Sequence, residues 1–488
     1  MLATLLTLGG GCSSTPDQPP TDAASTAAGR SALDRPGSPP ATAYATFDTV
    51  WKTVDERHFD PEHAGVDWDA VRDAYRPRIE ETRTQDDVRR LLGAMLGELG
   101  QTHFVIIPKE AADSARAAAD AQDAVGTDDN TDAIVPETGD RGVTGLRLDW
   151  AGDDALVVDV RPGSPGDAAG VRPGWRLDRV DDFEPTRDLA GVRAASTESG
   201  APFAIAQSAM ILNARSTGDV GSTGTFVFTD GDGDTDETSI RFEEEPGERV
   251  GFGLLPPTPF VFETRTLTPA ELEAWGIEPR SDGSYPTIVV TSFNIWMFPA
   301  LEPMADAVDA HRDADGFIID LRGNPGGIGG LAMGVAGHFM AEPESLGDLV
   351  SRDATMHFAV NPQKVTMDGR LVDPFSGPLA IVTDSGSAST SEVFAAGLQQ
   401  LGRATVVGRP SAGAALPAHL TPLPNGDTFM FAIADFIGPA GHSIEGTGVI
   451  PDIAVPLDRE RLLAEGDPDL AAAARWIGGV DTAADTSE

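Results

Sequence analysis

The chain has 488 residues, of which 77 are acidic and 35 are basic, so its formal charge is −42 at neutral pH. Such an acidic surface excludes a nucleic-acid binder that works by neutralising phosphates, and it disfavours direct contact with an anionic membrane. At roughly 150 residues per domain the length predicts about three units, and an apolar fraction of 40% is enough to give them cores.

The first segment is a short apolar run that ends in small residues and the only cysteine, Cys12. With one cysteine, no intramolecular disulfide is expected. The run LATLLTLGGGCSS resembles the end of a bacterial lipoprotein signal, in which this cysteine becomes the lipidated first residue. It is too short to span a bilayer, and an ordinary export signal or a mis-assigned start are the alternatives. We therefore predict a bacterial cell-envelope protein, lipid-anchored at Cys12 and facing the periplasm or the exterior.

A tether rich in Pro, Ser, Thr and Ala follows, and residues 1–45 are assigned to leader and tether together. Residues 46–110 are the next predicted unit, a helical N-terminal segment. Thr84 and Asp87 have the spacing of a capping box, and the apolar residues behind them share one helical face: Val88, Leu91, Leu92, Met95, Leu96 and Leu99. We expect this helix to stop at a glycine, Gly100, and to lead into a loop that carries a histidine.

Residues 111–140 are rich in Ala and Asp and form a predicted acidic linker. The unit 141–248 then consists of short apolar runs broken by Gly and Pro turns, which predicts strands. It resembles a PDZ domain, which implies capture of a peptide by addition of a strand to a sheet edge. The stretch 187–221 is longer than the usual connection, so the groove could be partly covered. The carboxylate-binding loop is matched by Val143, Thr144, Gly145 and Leu146.

From residue 249 to 458 apolar runs alternate with helical patterns, which predicts a layered α/β core, and residues 459–488 form a C-terminal helix and tail. Two strand ends in this core carry unusual sequences. DLRGNPGG begins at Asp320, and its glycines let backbone N–H groups point at a bound oxygen, although a plain strand-to-helix turn fits as well. VTDSGSASTSEVFAAG begins at Val382, and taken alone its hydroxyls favour a helix cap.

Together the two motifs closely resemble a family of serine peptidases that includes the C-terminal processing peptidases, the tricorn core and the retinoid-binding repeats. In that family the middle serine of S-A-S-A-S-E is the nucleophile, and Ser389 takes its place here. The resemblance implies a multi-domain α/β protein with a helical N-terminal segment, a PDZ-like β-rich domain and a ClpP/crotonase-like α/β catalytic core. It also implies an oxyanion hole made by the N–H of Thr390 with that of Gly326 or Gly327.

A serine hydroxyl needs a base. The C-terminal processing branch uses a lysine, but Ala414 occupies that position and no lysine follows Ser389. The tricorn-like branch uses a histidine from the segment before the PDZ insert. LGELGQTHF resembles that signature and places His103 as the base, with the hydroxyl of Thr102 beside it. Gln101 departs from the family's acidic-glycine lead into the histidine, and a lone histidine after a helix is also often structural.

The segment HSIEGTGVIPDIAV resembles the family's last motif, and Glu445 is the candidate carboxylate that orients the base directly or through a hydroxyl. His442 and Ser443 are rival members, and a turn-capping role is the alternative for Glu445. In the resulting mechanism Ser389 attacks a peptide carbonyl while His103 takes its proton, and water later releases the acyl-enzyme. Because these two residues are far apart in sequence, the N-terminal segment is expected to dock onto the core.

We therefore predict a serine endopeptidase or C-terminal processing peptidase that acts on peptides or unfolded proteins. The alternative is a catalytically weak or inactive, envelope-tethered protein that binds peptides in the PDZ-like groove. A β-lactamase-like hydrolase would need S-x-x-K, which the chain lacks, and its eight histidines contain no H-E-x-x-H. No metal or other cofactor is predicted. The substrate sequence and the oligomeric state stay open.

Overall fold

The computed structural model describes residues 38–110, 141–199, 202–252 and 255–480. Cys12 with its leader, most of the tether and the predicted acidic linker lie outside these residues. Within the described ranges no helix is long and apolar enough to cross a membrane, and no three His, Cys, Asp or Glu side chains are arranged to hold a metal ion.

Three α-helices build the N-terminal segment: α1 (Ala43–Arg57), α2 (Trp68–Tyr75) and α3 (Gln85–Gly97). The predicted capping box of α3 is confirmed, because the Thr84 hydroxyl accepts the N–H of Asp87 and the Asp87 carboxylate accepts the N–H of Thr84. The predicted apolar face of α3 is buried. The helix ends at Gly97 rather than at the predicted Gly100, which follows with a φ of 63°.

The N-terminal segment docks onto the core, as the sequence predicted. Strand β1 (Val105–Ile107) pairs antiparallel with the second strand of a hairpin formed by β18 (Ala418–Pro422) and β19 (Thr428–Ala432). One hydrophobic cluster joins the helices to this hairpin; its members include Phe47, Leu92, Phe429 and Phe431. The docking therefore rests on both backbone pairing and apolar burial.

An antiparallel sheet of five strands forms the middle unit, in the order β3 (Leu146–Ala151), β4 (Asp154–Val160), β5 (Arg176–Val180), β7 (Thr223–Thr229) and β8 (Thr235–Arg241). A short ribbon pairs β2 (Arg141–Gly142) with β6 (Gly218–Asp219). The helices are α4 (Pro165–Ala168), α5 (Pro185–Asp188), α6 (Ala190–Ser199) and α7 (Pro202–Arg215). The last three fill the long stretch between β5 and β6, and α7 packs on the edge strand β3.

A six-stranded sheet lies at the centre of the core, in the order β11 (Phe262–Thr266), β12 (Ile288–Phe293), β13 (Gly316–Asp320), β16 (Leu379–Thr383), β17 (Thr405–Gly408) and β21 (Ile453–Ala454). All neighbours are parallel except β11 and β12. One face packs on α9 (Leu301–Ala310), α10 (Gly330–Ala336) and α11 (Thr390–Gln400), and the other on α8 (Pro269–Ala274) and α13 (Pro468–Ile477). Burial on both faces explains why the inner strands are continuous apolar runs.

The carboxyl ends of neighbouring parallel strands meet at one edge of a sheet, where ligands commonly bind. Since β13 and β16 are such neighbours, DLRGNPGG and DSGSAS lie side by side.

The remaining elements are β9 (Glu248–Phe252), β10 (Leu255–Phe260), β14 (Glu344–Val350), β15 (Thr355–Val360), β20 (Asp435–Ile437), α12 (Arg459–Glu465) and 3-10 turns at His63–Gly65, Arg76–Glu81 and Phe298–Ala300.

Candidate active site

Ser389 lies in the sharp turn between β16 and α11, directly before the first residue of the helix. Its φ of 54° and ψ of −115° form a conformation that costs a non-glycine residue about 1–3 kcal/mol. The Ser389 N–H donates to the carbonyl of Ala414 and to the carboxylate of Glu392, each at 2.9 Å, and these bonds hold the turn. A strained strand-to-helix turn is one way to present a nucleophilic serine.

The glycine turn after β13 lies against this serine. A Cβ on Gly326 would lie 2.7 Å from the Cβ of Ser389 and 2.9 Å from the nitrogen of Thr390, so the position requires glycine. The Gly326 N–H donates to the side chain of Asn324 at 3.0 Å, which leaves Gly327 as the better-placed of the two predicted oxyanion donors. Thr390 is the first residue of α11, and its N–H has no acceptor within the helix.

Glu392 is a site residue to which the sequence analysis assigned no role. It is fully buried, and its carboxylate accepts four hydrogen bonds, from the N–H groups of Ser389, Gly413 and Ala414 and from the hydroxyl of Ser411. Desolvation raises the pKa of Glu392 to about 7. A serine followed three residues later by glutamate is a capping-box spacing, and that signal could have found it.

His103 lies in the loop between α3 and β1. It has a φ of 63°, so it and Ser389 are two of the five non-glycine residues with positive φ in the described ranges. The His103 Nδ1 lies 2.8 Å from the hydroxyl oxygen of Thr102. Desolvation lowers the pKa of His103 to about 4, so the ring is neutral at pH 7 and able to accept a proton.

Glu445 contacts the residue beside His103 rather than the imidazole. Its Oε1 accepts the Thr102 N–H at 2.8 Å, and its Oε2 accepts the Ala415 N–H at 3.0 Å. Burial raises the pKa of Glu445, and the contacts with the N–H and hydroxyl of Thr102 oppose that rise. Of the rivals, His442 is exposed, and the Ser443 hydroxyl donates to a carboxylate outside this set.

Ser389 and His103 are linked through neighbouring groups. The Ser389 N–H donates to the carbonyl of Ala414, and the next N–H along the chain donates to Glu445, which holds Thr102 beside the imidazole. In the described structure the Ser389 hydroxyl and the imidazole make no direct hydrogen bond. Catalytic hydrogen bonds are often long in free enzymes and shorten when substrate binds.

The predicted peptide-binding loop forms the rim of the five-stranded sheet. Val143 pairs with Glu243 in an antiparallel bridge, Thr144 is buried, Gly145 has a φ of 77°, and Leu146 begins β3. A loop of this kind at the start of an edge strand is compatible with strand addition.

Helix α7 lies along that edge and reaches the nucleophile turn. The Asn213 side chain accepts the N–H of Leu148 at 2.9 Å and donates to its carbonyl at 2.7 Å, so it pairs with β3 as an added strand would. The start of the same helix packs near Ser389, where Phe203 and Ala206 form one apolar cluster with Ala388, Ala412 and Ala414. The sheet edge and the nucleophile turn thus contact one helix.

Two family models match the chain. Residues 287–455 match peptidase family S41, over the segment that carries both glycine- and serine-rich motifs. The α/β core belongs to peptidase family S41. Residues 39–97, which include α1 to α3, match the tricorn protease C1 domain. The predicted family and the predicted enzyme class, a serine peptidase, are thereby confirmed.

Curated relatives of this protein align over most of its length. Carboxyl-terminal-processing peptidase 3, chloroplastic, of Arabidopsis thaliana is 24% identical over 414 residues, which cover 84% of this chain and 69% of that protein. A carboxyl-terminal-processing protease of Picosynechococcus sp. is 23% identical over 424 residues, 83% of this chain and 82% of that one. The similarity therefore extends beyond the core that the S41 family model matches.

Solved structures share the fold of this chain. The photosystem II D1 C-terminal processing protease has a TM-score of 0.52 at 18% identity, with 90% of this chain and 98% of that one covered. Mature CPAF complexed with lactacystin has a TM-score of 0.57 at 12% identity, with 90% and 99% covered. At these identities the match establishes the fold alone.

Proposed function

We propose that Ser389 is the nucleophile of this peptidase and that His103, rather than a lysine, is its base. The observation that carries the proposal is the set of hydrogen bonds that, together with the Ala414–Ala415 peptide, connects the Ser389 turn through Glu445 and Thr102 to His103. A lysine in the usual position is replaced by Ala414, whose backbone only supports the turn. The base therefore comes from the docked N-terminal segment.

In the proposed reaction the neutral imidazole takes the hydroxyl proton as Ser389 attacks a peptide carbonyl. The Thr102 hydroxyl donates to the Glu445 carboxylate, so its oxygen accepts the Nδ1–H of His103, which leaves Nε2 as the proton acceptor. The N–H groups of Thr390 and Gly327 are assigned to the oxyanion, which develops next to the positive end of α11. His103 then protonates the leaving amine, and water hydrolyses the acyl-enzyme.

The substrate class is a peptide or an unfolded protein, cleaved near its C-terminus or internally. We assign the PDZ-like role to the five-stranded unit, because the loop before its edge strand β3 is compatible with addition of a peptide strand. The alternative, a catalytically weak or inactive, envelope-tethered protein that binds peptides in the PDZ-like groove, would require Asn213 to release the β3 edge at Leu148.

Labelling by a fluorophosphonate probe tests this proposal. Wild-type protein without its leader is expected to be labelled, whereas Ser389→Ala and His103→Ala are expected to lose labelling. Ser385→Ala, which removes a half-buried hydroxyl from the same turn, is the matched control and is expected to label normally. A folded wild type that resists the probe would instead support the peptide-binding alternative.

We also propose that Cys12, which lies outside the described residues, anchors the protein to the cell envelope through a lipid. The proposal is supported by the apolar run and small residues before the cysteine. In bacteria fed a labelled fatty acid, the wild type is expected to carry the label and to sediment with membranes. A Cys12→Ser variant that retained both properties would contradict the proposal.

A further inference from the structure

Gln101, which departs from the family pattern before the histidine, has a buried partner. The imidazole of His58, at the end of α1, has no exposed surface, and its Nε2 lies 2.8 Å from the side-chain oxygen of Gln101. Its Nδ1 lies 2.8 Å from the carbonyl oxygen of Asp60. Desolvation lowers the pKa of His58, so the ring is neutral. The neutral ring donates its Nε2–H to that Gln101 oxygen, while Nδ1 accepts the backbone N–H of Asp60 at 3.1 Å.

The same imidazole contacts the residue that follows His103. The ring of His58 stacks on that of Phe104 with centroids 5.4 Å apart and planes at 7°. Residues 101 and 104 flank the pair formed by Thr102 and His103. A single buried side chain therefore holds both ends of the segment that carries the proposed base.

The α/β core in turn fixes His58. Arg352, which follows β14, donates from its guanidinium to the carbonyl oxygens of His58 and Asp55 at the end of α1. Glu445 anchors Thr102 to the core independently. The base is thus tied to the core by two routes, one through Glu445 and one through Arg352, His58 and Gln101.

We propose that His58, acting through Gln101, is a positioning residue for His103. The inference rests on the proposed roles of His103 and Ser389. The Glu445 route fixes the Nδ1 side of the imidazole, whereas the His58 route sets where its loop lies relative to the core. A displacement of about 1 Å of a reacting group can reduce a rate by about 100-fold.

The test compares His58→Phe, Gln101→Ala and the double variant in the complete enzyme without its leader. His58→Phe retains an aromatic ring to stack on Phe104 and removes the hydrogen bond to Gln101. The readouts are the maximal labelling rate and the half-saturating concentration of the fluorophosphonate probe. Each single variant is expected to label about 10- to 100-fold more slowly with the half-saturating concentration within about twofold of wild type. The double variant is expected to be no slower than the slower single variant, because both changes break the same contact.

His338→Phe is the matched control, since His338 is also buried but lies in the core, where its Nδ1 has no hydrogen-bond partner. It is expected to label at the wild-type rate. Single variants that label like wild type, or effects that multiply in the double variant, would overturn the positioning role while leaving the proposed function intact. A folded wild type that is not labelled at all would overturn both.

Discussion

Glu392 holds the nucleophile turn by accepting every hydrogen bond that its carboxylate can accept. Two donors reach each oxygen: Ser411 and Gly413 reach Oε1, and Ser389 and Ala414 reach Oε2. A carboxylate has about four lone-pair sites, so this residue is saturated. The same contacts support the strained backbone of Ser389, so the buried side chain of Glu392 holds the proposed nucleophile in place.

Glu392→Gln is expected to destabilise the protein and slow labelling of Ser389. In either amide orientation the new NH₂ group faces at least one backbone N–H, and a buried donor left without an acceptor costs about 1–3 kcal/mol. Chemical denaturation with a probe-labelling assay measures both effects. Unchanged stability together with a wild-type labelling rate would contradict this account of the turn.

The lowered pKa of His103 predicts activity at unusually low pH. The base must be neutral, and its pKa of about 4 means that it stays neutral as pH falls through the ordinary histidine value of 6.5. The acid limb that protonation of His103 causes in the labelling rate is therefore expected near pH 4, separate from any limb that protonation of Glu392 causes near pH 7. Rates measured between pH 3.5 and 8 test this. An acid limb near pH 6.5 that persisted in Glu392→Gln would contradict the lowered pKa of His103. An acid limb near pH 7 that was absent from Glu392→Gln would instead report the protonation of Glu392, whose pKa is about 7.

Among the elements, helix α7 contacts both the proposed peptide-binding edge of the five-stranded sheet and the turn that carries the proposed nucleophile. Its Asn213 mimics a paired strand at Leu148, and its first turns pack beside the alanines around Ser389. An edge strand presents unpaired N–H and C=O groups, and a side-chain amide can satisfy both at one residue. One helix thus contacts both the β3 edge and the packing around the nucleophile.

Asn213→Ala is expected to open the β3 edge to peptides. Two hydrogen bonds at about 1 kcal/mol each would no longer compete with an incoming strand, so binding is expected to tighten about 30-fold. Fluorescence polarisation with a pool of labelled peptides ending in apolar residues measures it, in a Ser389→Ala background that prevents cleavage. Gln207→Ala, on the same helix, is the control. Equal affinities in both variants would show that Asn213 does not restrict the edge.

At the scale of the whole molecule, the proposed base and nucleophile belong to different segments, so activity depends on docking. Asp427, between the strands of the β18–β19 hairpin, is fully buried and accepts hydrogen bonds from the Arg89 guanidinium and the Lys109 N–H. The hydrogen bonds to Asp427, and to a smaller extent its charge, raise the pKa of Arg89. This contact lies at the interface through which the N-terminal segment, which carries His103, docks onto the core.

Asp427→Ala is expected to cost about 2–3 kcal/mol of stability and to reduce labelling of Ser389. The change removes the buried acceptor of the Arg89 Nε–H and of the Lys109 N–H, while the exposed Asp86 and Glu110 still accept from Arg89. Thermal unfolding and the labelling rate are the measurements. Asp86→Ala, which removes an exposed partner of the same Arg89, is the control and is expected to cost less than about 1 kcal/mol. Equal effects of the two changes would argue against a docking role for Asp427.

Much of the site follows from local sequence, because Ser389 and His103 lie in motifs whose order along the chain is recognisable. The capping box at Thr84 and the alternating core elements were likewise predictable from spacing. The contacts of Gln101 with His58 and of Asn213 with Leu148 were not, since each joins residues more than 40 positions apart. No local pattern encodes such a pairing.

The sequence by itself determined which candidate catalytic residues the chain has: a serine in a family motif, no lysine after it, and a histidine that precedes the β-rich unit. Residue type and local spacing carry that information. Only the tertiary structure decided that Gly327 rather than Gly326 has the available N–H, that Glu445 reaches His103 through Thr102, and that α7 occupies the β3 edge. These are matters of direction and distance between segments, which packing of the docked units sets and which spacing along the chain does not.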